Sequence, residues 1–188
     1  MLGQPHTEAR YVPDSFLVAV CHKMRQKHLG RIPRCKLLTG RAYHGGCASK
    51  HRWFYGLRVQ VATSDGLPVK FYTHAGASPE QTGQRGLVLN LPAGSQRYTD
   101  AGYTDYVAED LFNEASGSQQ QSARRQNSQR PHHPAQCFLI QYFRKGIETC
   151  FSQLTARFPK QIHAVTAAGF ALKIVLFIFA HVLDQVGL

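Results

Sequence analysis

The chain has 188 residues, 43% of them hydrophobic and 11% aromatic, which is enough apolar material for one core of ordinary size and excludes a chain disordered throughout. Lys and Arg number 22 against 11 Asp and Glu, a formal charge of +11 before any of the 10 His is protonated, so a polyanion is the expected partner and an acidic membrane surface the weaker one. Five irregularly spaced cysteines and an N-terminus without an apolar leader run point to a reducing cytoplasm.

In chain order, Glu8 to Val12, the Pro13-Asp14-Ser15-Phe16 step and the apolar Leu17 to Cys21 read as a strand or strand end that delivers Asp14 to its edge. Six Lys or Arg then fall between His22 and Lys36, interleaved with Gly30 and Pro33, the pattern of an exposed basic loop or short helix. From Gly56, Leu57, Val59 and Val61 alternate with Arg58, Gln60 and Ala62, the period-2 signature of a half-buried strand. An Asp65-Gly66 step predicts a hairpin, with Val69, Phe71 and Thr73 on the returning strand.

Ser78 as N-cap and Pro79 at the first helical position predict a short helix to about Leu89. A strand over Gly94 to Thr99 ends at Asp100. Tyr103, Val107, Leu111 and Ala115 then recur at helical spacing and predict one buried face, leaving Glu109, Asp110 and Glu114 solvated. Residues 117–134 are polar and nearly low in complexity, with Arg124, Arg125 and Arg130, and read as a basic flexible loop, in which GSQQQSARR is too polar for a central strand and suits an edge strand or an unstructured loop. A long helix from Ala135 to Pro159 is expected to bury Phe138, Tyr142, Ile147, Phe151 and Leu154. The last helix, Thr166 to Val186, is interrupted by Lys173, His181 and Asp184; it lacks an unbroken apolar span of about 20 residues and reads as a buried helix, with no membrane partner.

Three acidic residues stand apart from the solvated ones: Asp14 and Asp100 at strand ends, and Glu148 in the middle of the long helix. Each has an ordinary structural explanation. Asp14 after a proline suits a turn, Asp100 an N-cap for Ala101, and Glu148 an ion pair with Arg144 one turn earlier. Together, three hard oxygen ligands at distant points of the chain suit phosphoryl transfer by two divalent ions about 4 Å apart. Lys50, Arg52, Arg58, Arg124, Arg125, Arg130, Arg144 and Lys145 are candidate DNA contacts, which give affinity without reading bases. Trp53 and Tyr55 are candidates for stacking on unpaired bases. Cys35, His44, Cys47 and His51 lack the C-x2-C pair of structural zinc sites.

Six stretches, PDSF, KHRWFYGLRVQV, TDAGYTDY, RQNSQRP, FRKGIET and IHAVTAAGFALK, occur in an order that resembles the DDE transposases of bacterial insertion sequences, the insertion-sequence 982 family in particular. The resemblance runs from about Asp14 to Val182. It implies an α/β, RNase H-like mixed sheet flanked by helices, a single catalytic domain over 1–188 that lacks the family's N-terminal DNA-binding region. It also implies Asp14, Asp100 and Glu148 as a triad holding two Mg²⁺, with Mn²⁺ as substitute. The implied partners are double-stranded transposon-end and target DNA, engaged by a homodimer at the bacterial nucleoid. Around the last carboxylate the family carries a Tyr, Arg, Glu, Lys signature; Arg144 and Glu148 match its spacing, Tyr142 lies one place off and Thr155 stands at the Lys position.

Overall fold

The computed structural model describes residues 9–21, 38, 40–47, 52–159 and 162–187. They form one mixed sheet with helices on both faces, an α/β arrangement. The strands are β1 (Arg10–Cys21), β2 (His44–Cys47), β3 (Arg52–Ser64), β4 (Leu67–Ala75), β5 (Gln96–Thr99) and β6 (Gln119–Ser122). The helices are α1 (Glu80–Gly86), α2 (Tyr106–Ser116), α3 (Pro134–Arg157) and α4 (Ala167–Gln185). Six strands order as β2-β3-β1-β5-β6, with β4 also paired to β3. β1, β2 and β4 run antiparallel to β3, while β5 runs parallel to both β1 and β6.

The β3–β4 hairpin forms where the alternation and the Asp-Gly step place it. Ser64 pairs with Leu67, and Asp65 and Gly66 take φ of 50° and 81°, the left-handed values a two-residue hairpin turn demands. Gly56 is required where β3 passes β1, since a Cβ there would lie 2.1 Å from the Val18 carbonyl oxygen. β1 is one continuous strand, so Asp14 lies in its interior, between Val12 and Phe16, and not at an edge. The basic run over 22–36 and Lys50 lie outside the described residues.

The two faces of the sheet differ in chemistry. Under α3 and α4 lies the apolar core: Phe16, Val18, Leu57, Val59 and Val61 from the sheet pack with Leu154, Phe170, Ile174 and Ile178. Phe16 is ringed by Phe151 and Phe158, with centroids 5.0 Å and 5.9 Å away. Each such side chain contributes about 1.5–3 kcal/mol by leaving water. Toward α1 and α2 the buried residues are largely polar. Gln60 bonds Tyr103, Thr99 bonds Ser122, and Gln84 of α1 bonds Gln120 of β6.

That polar face reverses the expected orientation of α2. Val107 and Leu111 are exposed, and the residue it buries is Glu109, because the guanidinium of Arg124 waits in the interior to meet it. The same pairing decides between the edge strand and the unstructured loop expected at 117–125, and limits the flexible loop expected over 117–134. Residues 119–122 are edge strand β6, in parallel register with β5 from Gln96–Gln119 to Thr99–Ser122, and the turn that follows is pinned by Arg124–Glu109 and Arg130–Asp110 ion pairs.

α3 runs almost to the expected bounds, capped by His133, whose ring accepts from the Ala135 N–H. Its buried stripe is Ile140, Ile147, Cys150 and Leu154, however, and Phe138 and Tyr142 face solvent. α4, N-capped by the Thr166 hydroxyl, is buried along one side only, through Phe170, Ile174, Ile178 and His181. Leu172, Leu176 and Phe179 are exposed, so the buried helix expected from the sequence is buried on one side only. By length and composition alone it is apolar enough to cross a membrane.

Candidate functional site

Parallel pairing of β1 with β5 sets the site. Arg10 is opposite Gln96 and Tyr11 opposite Arg97; counted on at the same offset, Asp14 would fall opposite Asp100, the residue that follows β5. Both project to the α3 side, since strand side chains alternate and their neighbours two residues back, Val12 and Tyr98, share a cluster with Ile140 and Ile147 of α3. Pro13, which has no N–H to give to a ladder, stands between the Tyr11–Arg97 pair and Asp14. Antiparallel pairing places Asp14 opposite Val61 on the other side.

Asp14 Oδ1 accepts the Ser15 N–H at 2.7 Å. Asp100 Oδ1 accepts the Ala101 N–H at 2.7 Å, capping a 3-10 turn over Ala101–Tyr103. The same oxygen lies 3.1 Å from Arg144 Nη1 of α3. The N-cap explanation of Asp100 is thus realised. The ion pair suggested for Arg144 is made across to β5 and not along the helix to Glu148.

Glu148 is exposed one helical turn beyond Arg144. Among the described residues, no three His, Cys, Asp or Glu side chains gather as a metal-sized group. Asp14 and Asp100 therefore supply oxygens of the type a hard cation takes, on one face of the sheet. Glu148 shares their helix-facing side of the sheet but is not drawn into a common cluster with them.

The basic candidates divide by location. Arg58 is half-buried on the sheet face away from Asp14 and donates to Ser15 Oγ at 3.2 Å. Arg52 opens β3. Arg124 is committed to Glu109 and Arg130 to Asp110, and both guanidiniums lie about the Tyr106 ring, 5.0 Å and 4.9 Å from its centroid. Arg125 and Lys145 are exposed. Trp53 is 44% exposed and stacked on His44 at 5.3 Å, whereas Tyr55 is fully buried and donates its hydroxyl to the Leu38 carbonyl. Of the two aromatic candidates, only Trp53 is accessible.

Two clefts flank this region. One, of about 410 Å³, lies between β1, the β3–β4 turn and α3, and is lined by Arg10, Val12, Asp65, Phe143 and Lys145 among others. The other, of about 370 Å³, begins immediately after Asp100 and is lined by Gly102, Thr104, Tyr106, Arg125 and Asn127. Sequence reasoning missed this second cleft, since it needs the 123–130 turn to fold back on Ala101–Tyr103. It also missed Arg97, which is buried under Phe112 with no acidic partner among the described residues. Burial pulls its pKa down to about 10.

No family model matches the chain, and no curated protein matches it by sequence. Among solved structures it is similar to the piggyBac transposase in a synaptic complex with hairpin DNA, with a TM-score of 0.53 and 10% identity. The match covers 95% of this chain and 48% of that protein, so the chain spans about half the length of the structure it resembles. At that identity the likeness is one of fold alone.

Proposed function

We propose that this chain is the catalytic core of a DDE-type DNA transposase, RNase H-like in fold and related to the insertion-sequence 982 group, acting on transposon-end and target DNA at the bacterial nucleoid. The observation that supports the reading is that Asp14, inside β1, and Asp100, which follows its parallel neighbour β5, both lie on the sheet side that faces α3, the helix that bears Glu148. The fold likeness and the +11 charge support it.

Asp14 and Asp100 would hold the divalent cation, with Glu148 completing the set. Bound there, Mg²⁺ or Mn²⁺ supplies activation of an attacking water or 3′-hydroxyl and stabilises the leaving oxygen. The chain's own residues do the rest. The Ser15 and Ala101 amides orient the two carboxylates, α3 fixes the approach of Arg144, and Arg125 and Lys145 offer phosphate contacts that position a backbone without reading sequence. The test is nicking and strand joining of element-end DNA with Mg²⁺ or Mn²⁺, in wild type and Asp100→Asn. Loss of both activities in the variant supports the assignment; metal-dependent activity unchanged by it rejects the site.

A second reading rests on one observation: three carboxylates do not gather, and Asp100 already has a cation partner in Arg144. On that reading the chain binds nucleic acid without turnover. Affinity would then fall steeply with salt, ignore sequence and be independent of divalent metal.

A further inference from the structure

We propose that Arg144 is a resident counter-ion for Asp100, a protein-borne cation that occupies the carboxylate until a divalent metal displaces it. This rests on the reading of Asp14 and Asp100 as metal ligands. Two contacts of the Asp100 carboxylate fall on Oδ1: the Ala101 amide at 2.7 Å and Arg144 Nη1 at 3.1 Å. The Arg144 side chain is only 20% exposed and that of Asp100 44%, so the pair is partly withdrawn from water and its attraction is less screened than at an open surface.

A guanidinium and a hard dication compete for the same oxygens. While Arg144 holds Oδ1, a metal entering beside Asp100 meets a positive charge within a few ångströms, and like charges at that range disfavour binding. The contact explains how a half-exposed carboxylate on the apolar, helix-covered side of the sheet is kept ordered before metal arrives. It also explains why Glu148, one turn along α3, has no claim on Arg144. On displacement, no bond is made or broken: the guanidinium exchanges one anion for another, and a DNA phosphate is the natural recipient, since Arg binds such groups through paired N–H donors. Metal and DNA would then favour each other's binding, by equal factors in both directions.

The experiment is a Mn²⁺ titration of the whole chain followed by electron paramagnetic resonance, with folding of each variant checked by circular dichroism and thermal melting. Arg144→Gln should bind Mn²⁺ about three- to tenfold more tightly than wild type, the range expected for removing one partly screened charge. Arg144→Lys should stay near wild type, Lys145→Gln should not reproduce the gain, and Asp100→Asn should lose the site. Equal or weaker binding in Arg144→Gln, or the same gain in Lys145→Gln, overturns the counter-ion role while leaving the metal site standing. Absence of Asp100-dependent binding in every chain removes the metal reading and this inference together. Should Arg144→Gln not fold, the side-chain Nε–H resonance of Arg144 in wild type decides. It should shift with Mg²⁺ at the midpoint of metal binding, and an unmoved signal across a saturating titration overturns the role.

Discussion

Arg124 grips the carboxylate of Glu109 through both terminal nitrogens, Nη1 to Oε1 at 2.9 Å and Nη2 to Oε2 at 2.5 Å, with both side chains less than a tenth exposed. The pair ties α2 to the chain leaving β6, and so holds in place the turn that forms the cleft beside Asp100. Removing one partner leaves the other as an uncompensated charge in a polar but largely dry layer. Glu109→Ala should therefore destabilise by about 3–5 kcal/mol, measured by denaturant unfolding. Asp110→Ala, which breaks the open Arg130 pair on the same helix, should leave the transition midpoint almost where it was.

The two sides of α3 give a second test. Ile147 is fully buried between the sheet and the helix, whereas Phe138 is 65% exposed. Ile147→Ala should cost about 2–5 kcal/mol, as truncated core residues do, and Phe138→Ser should stay within about 0.5 kcal/mol of wild type. If the helix instead buried the broader face expected from its sequence, which holds both residues, Phe138→Ser would be costly as well.

A third concerns acid. His181 of α4 is fully buried, with Nε2 3.8 Å from Cys150 Sγ and Nδ1 unbonded. Burial, and then the nearby Arg157, lower its pKa, while Asp184 opposes them; His74 is lowered likewise by burial and by Arg58. Both rings are thus held neutral in the folded chain and take up protons more readily when unfolded. The folded state binds fewer protons, so stability is complete above the unfolded value of about 6.5 and is lost as pH falls below it. Unfolding free energy should decline from pH 6.5 toward 5. His181→Gln should flatten that decline, as measured by denaturant titrations at several pH values; an unchanged slope would count against a neutral buried ring.

The thiol beside that ring should be inert. Burial pushes Cys150 up to about 11, and only 2% of the residue is exposed, so almost no thiolate forms near neutrality. Peptide-resolved alkylation at pH 8 should label the half-exposed Cys137 well before Cys150. Labelling of Cys150 at the same rate would mean that α4 opens readily from α3.

Much of the architecture was legible because local chemistry and tertiary context agree. The β3–β4 hairpin follows from an Asp-Gly turn between alternating strands, and α3 and α4 begin and end within a residue or two of their sequence signals. Which face each helix buries was less legible. Periodicity identifies an apolar stripe but not what the sheet offers opposite it. Beneath α2 the sheet presents Arg97, Thr99, Gln120 and Ser122, so the helix turns Glu109 inward and leaves Val107 and Leu111 in water. β6 was legible only as one of two alternatives, an edge strand or a loop, for a related reason: Gln119–Ser122 has weak strand propensity, and its ladder depends on parallel pairing with distant β5. Asp14 and Asp100 stood out as isolated acids, but their placement on one side of the sheet comes from β1–β5 pairing, a relation between residues 86 positions apart in the pairs Arg10–Gln96 and Tyr11–Arg97. That Arg144 pairs with Asp100, and not with Glu148 on its own helix, is likewise set by the docking of α3.

The central claim, a divalent-cation site built on Asp14 and Asp100, is tested most directly by crystals grown with Mn²⁺ and an anomalous difference map recorded near the manganese edge. The account predicts a peak bonded to carboxylate oxygens of Asp14 and Asp100, absent in crystals of Asp100→Asn. A map from well-ordered crystals at saturating Mn²⁺ with no peak between those two strands, or with its peaks elsewhere, would contradict it.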